Sequence, residues 1–244
     1  MKKFALLIAI LMSCLLITAS QAAKLDPEIE SLLNKIKANQ SQVKDIQADI
    51  FNVVKGNNKK IEQKGHMWVK GEDYSKMEVL EPVKQITITN KDKACLIDPA
   101  TGRKLVQDLK KIREKTGDET VGKSSGLAAA LDAFDFKKLS SGGGLFGGGD
   151  IIIEGTPKKK GSLMGKVNYY IDKGRSLPVK IEIFDDKNNL LSKATISYEK
   201  IKDIWVISKT MSEIKMPKGK MEVEMIFSNI KVNEGIPDKE FKIE

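Results

Sequence analysis

The sequence predicts a mainly β fold with some α: a strongly curved antiparallel sheet forming an unclosed half β-barrel, with an N-terminal helix and a helical lid on its concave side. Three observations predict it. Ten or eleven short stretches alternate apolar and polar residues, turn signals separate them at intervals of roughly ten residues, and none is followed by the crossover helix that a parallel sheet requires. A twisted sheet with that many strands curls instead of staying open.

The chain of 244 residues begins with Lys2-Lys3, an apolar run from Phe4 to Ile17 and a small-x-small site at Ser20-Gln21-Ala22, the pattern of a cleavable signal peptide over residues 1–22. The expected product is exported. Leu11-Met12-Ser13-Cys14 offers a rival reading, a lipoprotein box with Cys14 as lipid anchor, but the apolar run continues past Cys14 where a polar tether would be needed. Residues 23–244 read as one domain, with 105–150 as a lid or flexible insertion. Loss of Lys2 and Lys3 takes 42 basic residues to 40 against 33 acidic ones, so the net charge falls from +9 to +7. The lysines are interspersed with acids and no nucleic-acid module accompanies them, so no nucleic-acid partner is expected. With Cys14 in the leader, Cys95 has no partner for a disulfide, and packing alone must hold the fold.

Asp26-Pro27-Glu28 supplies an N-cap, a first-turn proline and an early acid, and Ile29, Leu32, Leu33 and Ile36 then form one helical stripe. From Val43 the period becomes two: Ile46, Ala48, Ile50 and Asn52 share one face, Gln47, Asp49, Phe51 and Val53 the other. Gly56-Asn57-Asn58 turns the chain into a return strand from Ile61 to Lys70. Strands Tyr74 to Leu80, Gln85 to Thr89 and Lys93 to Ile97 follow, and after Ile151-Ile152-Ile153 the meander resumes over Gly165 to Asp172, Leu177 to Phe184, Leu190 to Tyr198, Ile204 to Ile214 and Met221 to Ile230. In the last of these, Met221, Val223, Met225 and Phe227 alternate with Glu222 and Glu224, giving one wet face and one soft apolar face. Methionine adapts to variable contacts, although it also fills ordinary cores.

Between these sets lies a segment of a different kind. Leu127, Leu131 and Phe134 align as an apolar helix after Ser124-Ser125, and the glycine-rich tract from Gly142 to Gly149 follows. A hinged helix and an ordinary long loop both fit this pattern. A hinged lid would tolerate Phe134→Asp without unfolding.

Catalytic machinery is not evident. His66 is the sole histidine, which removes most nucleophilic triads and any multi-histidine metal site. Gly161-Ser162-Leu163-Met164-Gly165-Lys166-Val167 is one residue short of a phosphate loop and runs into a strand. The pairs Glu222/Glu224 and Asp185/Asp186 sit on a charge-rich surface without an aromatic sugar platform. No enzyme, metal or cofactor is expected.

Several dispersed stretches carry a resemblance: Val43 to Phe51 after the first helix, Trp68-Val69-Lys70, Asn90 to Pro99, and the ending from Ile230 to Phe241. Together they resemble the LolA-like periplasmic carriers that sort outer-membrane lipoproteins, over most of the mature chain except residues 105–150. The resemblance implies a half-barrel with a helical lid over an apolar cavity. It also implies acylated lipoproteins or other lipids as cargo, an inner-membrane lipoprotein-releasing transporter and an outer-membrane receptor as partners, and a monomer. A lipid-sensing regulatory module that binds a signalling protein is the alternative on the same fold. Two departures stand out: Gly71 follows Trp-Val-Lys where the carriers have a lid-latching arginine, and Cys95 replaces a frequent aromatic.

Strand parity proposes Met67, Val69, Met77, Val79, Ile86, Ile88, Cys95, Tyr169, Met221, Val223, Met225 and Phe227 as the acyl-binding wall. Leu127, Leu131, Phe134 and Phe136 are proposed for the lid.

Overall fold

The structure, a computed structural model, describes residues 26–56, 59–117, 121–123, 131–141, 150–158, 164–217 and 219–243. The expected leader, Leu127 and the glycine tract lie outside the described residues. Helix α1 spans Pro27–Ser41; the Asp26 carboxylate accepts the Glu28 N–H at 2.8 Å, Pro27 opens the first turn, and Ile29, Leu32, Leu33 and Ile36 form its buried stripe.

A single antiparallel sheet follows. Its first six strands are β1 (Asp45–Gly56), β2 (Lys59–Lys70), β3 (Tyr74–Glu81), β4 (Gln85–Thr89), β5 (Lys93–Asp98) and β6 (Arg103–Asp108). After helix α2 (Leu109–Thr116) come β7 (Phe134–Ser141), β8 (Asp150–Pro157), β9 (Lys166–Asp172), β10 (Leu177–Phe184), β11 (Leu190–Ile201), β12 (Ile204–Met216) and β13 (Gly219–Val232), and a 3-10 turn at Asp238–Phe241 ends the chain. The spatial order is β6-β5-β4-β3-β2-β1-β13-β12-β11-β10-β9-β8-β7. The two halves of the chain thus meander outward from the central β1–β13 pair. The end strands β6 and β7 do not pair with one another, so the sheet is a curved, unclosed barrel.

Thirteen strands among the described residues exceed the expected ten or eleven. Both additions fall in or across the segment read as a lid: β6 starts before it and runs into it, and β7 lies within it. Phe134 and Phe136 are therefore strand residues, not lid residues. Their spacing of two is the strand signal, and both side chains point into the sheet's packed core. Leu131, in helical conformation just before β7, is 2 % exposed in the same core. Residues 105–150 are accordingly not one mobile insertion over the barrel, because α2 and two edge strands are part of them.

Registered partners trace one continuous row across the sheet: Ile153, Tyr169, Ile181, Ala194, Ser212, Val223, Val54 and Ile61. Opposed residues in an antiparallel ladder share a face, and α1 packs on Ile153 and Tyr169, so this row marks the inner face. The outer face carries charge ladders such as Lys220 with Glu213 and Glu222 at 3.2 and 2.8 Å, and Lys137 and Lys166 with Glu154 at 2.8 and 3.2 Å.

Candidate functional site

The inner face divides into three zones. Over β7 to β10 it is sealed: the stripe of α1 packs with Leu131, Phe134, Phe136, Ile151, Ile153, Val167, Tyr169 and Ile171, and Phe136 meets Tyr169 edge-on at 5.9 Å. Burial pushes the Tyr169 hydroxyl far up in pKa, so it stays neutral. At one end of the central strands, Ala48, Val206, Ile230 and Val232 close a second cluster against Ile46, Met67 and Phe227. Between them lies a third zone of half-buried side chains on β3, β2, β1 and β13: Met77, Val79, Ile61, Val54, Met221, Val223 and Met225, which belong to no buried cluster.

Most of the sequence-proposed wall reaches the inner face. Met67 pairs with Met77 and with Ala48, Val69 with Ile46, Val79 with Gly65, and Phe227 with Ile50. Three proposed residues do not. Met77 pairs with Thr87, which puts Thr87 inside and turns Ile86 and Ile88 outward; Ile88 pairs with Cys95, which turns out as well. The physical reason is a tertiary cover that strand parity alone does not show. The C-terminal tail folds over the outer face here, and Ile236, Phe241 and Ile243 pack on Trp68, Tyr74, Ile86, Ile88 and Ile97. Lys70 Nζ secures the tail by donating to the Ile236 carbonyl at 3.1 Å, and Lys76 Nζ donates to Glu240 at 3.0 Å while lying over Trp68. Cys95, 1 % exposed, is thus a small core residue on the opposite side from the methionines. Tyr169 is on the inner face but sits beneath α1.

Sequence reasoning passed over one polar feature. Asn52 is 6 % exposed among apolar neighbours, opposite Gln63 on β2 and Met225 on β13. Its Nδ2 donates to Gln63 Oε1 at 3.1 Å, while its Oδ1 has no hydrogen-bond partner among the described residues. An unmatched buried acceptor costs about 1–3 kcal/mol. The signal was an asparagine in phase with Ile46, Ala48 and Ile50.

The titratable groups do not assemble a catalytic centre. The hydrogen bond from Lys220 holds Glu222 below its ordinary pKa and that from Lys209 does the same for Glu224, so both stay ionised on the outer face. His66 faces outward against Asp49, whose other oxygen accepts from Asn229 at 2.6 Å. Among the described residues no cluster of His, Cys, Asp and Glu could hold a metal, and no helix is long and apolar enough to cross a membrane.

The same fold recurs in solved structures. A DUF1329 family protein from Desulfovibrio piger superposes with TM-score 0.67 at 16 % identity, over 88 % of this chain and 97 % of that one. A putative outer membrane lipoprotein-sorting protein domain from Vibrio parahaemolyticus gives 0.64 at 18 % identity, over 87 % and 97 %. A LolA superfamily protein from Nitrosomonas europaea gives 0.60 at 15 % identity, over 88 % and 97 %. The fold is LolA-like. A family model described as "uncharacterized protein" matches residues 145–244, and no curated protein matches.

Within this LolA-like fold, the departure at Gly71 has a local cause. Gly71 adopts φ +58° in the β2–β3 turn, a conformation in which a side chain such as arginine is strained.

Proposed function

We propose that this chain is a periplasmic carrier, a single domain over residues 23–244 released from a leader over 1–22. It shelters the acyl chains of lipoproteins against the inner face of its half-barrel and passes them from the inner to the outer membrane. The observation that carries the reading is the half-buried zone around Met77, Met221, Val223 and Met225, an apolar stretch of the inner face that lies outside the cluster under α1 and the cluster under the C-terminal tail. The likeness to a lipoprotein-sorting protein domain supports it. So does the chemistry: an acyl methylene leaving water contributes ~0.8 kcal/mol, so ten of them contribute about 8 kcal/mol before ordering costs. Methionine side chains accommodate chains of different length without a fixed geometry. On the outer face, charged side chains such as Lys220 with Glu213 and Glu222, and Glu154 with Lys137 and Lys166, pair with one another. A membrane transporter would load the protein and a receptor at the outer membrane would unload it.

Mass spectrometry of the protein purified from periplasmic extract tests this reading. The expected result is a mature N-terminus at Ala23 and a co-purifying acylated polypeptide. Protein retained in the membrane through an acylated Cys14, with no lipid cargo, overturns it.

A further inference from the structure

Resting on that reading, we infer that the inner face selects cargo by the polar group at the head of the acyl chain: Asn52 Oδ1 accepts a hydrogen bond from an uncharged N–H or O–H donor next to the chain. Asn52 lies on the central strand β1, on the same face as Val54, with Met225 beside it on β13 and Gln63 beside it on β2. Gln63 Oε1 accepts a hydrogen bond from Asn52 Nδ2 and fixes the amide, leaving the carbonyl oxygen as an oriented acceptor without a donor among the described residues. The other unmatched side-chain oxygen among the described residues, that of Asn168, lies on the outer face between Glu154 and Glu182 and has no such role.

A purely apolar ligand would bring no donor to the Asn52 carbonyl. Met225, half-buried and in no buried cluster, is the registered neighbour of Asn52 on β13, in line with Val223 and Met221, so an acyl chain bedded on those residues passes beside the Asn52 amide. A ligand with a donor at that point replaces a buried defect with a hydrogen bond. A site built to hydrogen-bond a group discriminates against the analogue that lacks it more strongly than an apolar pocket discriminates a methylene. The occupant is therefore an acyl chain joined through an amide N–H or carrying a neighbouring hydroxyl. Fully esterified chains and ionised fatty acids lack this donor.

Displacement of a fluorescent fatty acid from the intact mature protein tests the assignment with four ligands of one chain length: N-methylpalmitamide, N,N-dimethylpalmitamide, methyl palmitate and monopalmitoylglycerol. The N-methyl amide should bind roughly tenfold tighter than its dimethyl analogue, the ratio of one buried hydrogen bond. Monopalmitoylglycerol tighter than methyl palmitate makes a hydroxyl an accepted donor; equal binding of those two restricts the site to amide N–H. Asn52→Leu, which removes the unmatched acceptor, should fold with a melting temperature no lower than that of the wild type and bind both amides alike. Equal binding of the two amides by the wild type overturns the inference while leaving the carrier reading intact. Failure of all four to displace the dye overturns the carrier reading itself.

Discussion

The two halves of the inner face are apolar to a similar degree but differ in residue type. The half over β7 to β10 is built from Ile151, Ile153, Val167, Ile171, Phe134 and Phe136, and α1 seals it. The half over β3, β2, β1 and β13 places Met77, Met221 and Met225 among Val54, Ile61, Val79 and Val223, with no helix of the described residues packed on Met77, Met221 or Met225. β-Branched and aromatic side chains have few rotamers and specify one packing partner, whereas methionine accepts many. Under the proposed function, those three methionines would be the adaptable part of a face whose contents exchange, and the stiffer half is the one with a permanent cover.

The largest test of this contrast is Phe134→Asp. Phe134 is 4 % exposed between α1 and β8, so an aspartate there buries an unpaired charge and leaves a void. Urea denaturation should show a loss of about 4 kcal/mol or more, up to complete unfolding. A lid residue would instead change ligand retention alone, so near-wild-type stability would restore the lid interpretation. Met225→Glu reverses the pattern. Its side chain is half-buried, so the expected stability change is about 1 kcal/mol or less, while binding of a fluorescent fatty acid should weaken by at least about tenfold because a carboxylate must be desolvated against the acyl chain. Comparable unfolding in both variants would mean that the open half is ordinary core.

Legibility in the sequence followed the same division. Helix α1 was readable from its Asp26-Pro27 start and its single stripe, and the central strands from alternation, because each has one covered and one wet face. Strand β6 escaped because Leu105 and Val106 are adjacent and both exposed, leaving no period to detect. Strand β7 escaped because Phe134 also falls at helical spacing from Leu131, and only its pairing with Pro157 on β8 decides between the periods. Ile86 and Ile88 turn outward under a tail about 150 residues further along the chain, a contact that no local pattern encodes, and Cys95 follows them through its pairing with Ile88. The inner wall was legible as chemistry, but its extent was not, because what covers Tyr169 and leaves Met225 open is tertiary.

The smallest expected effect distinguishes the outer surfaces of the two halves. Glu154 on β8 has a side chain only 11 % exposed and accepts from Lys137 on β7 and Lys166 on β9, stapling three strands. Burial alone raises its pKa, but the two lysine hydrogen bonds outweigh burial and hold the carboxyl below its ordinary value. Because the folded pKa is the lower one, Glu154 contributes stability that is fully present above about pH 4.3, the unfolded value, and is lost as pH falls through the folded value. Glu154→Gln keeps the shape and removes the charge, so the stability gap between wild type and variant should narrow on acidification from about pH 6 to about pH 3. On β13, Glu224 pairs with Lys209 in a more solvated setting, and the pairing of two exposed charges contributes little. Glu224→Gln should therefore leave the acid unfolding profile nearly unchanged. A gap at Glu154 that does not vary with pH, or an equal pH-dependent gap at Glu224, would show that the sealed half is no more rigidly stapled than the open one.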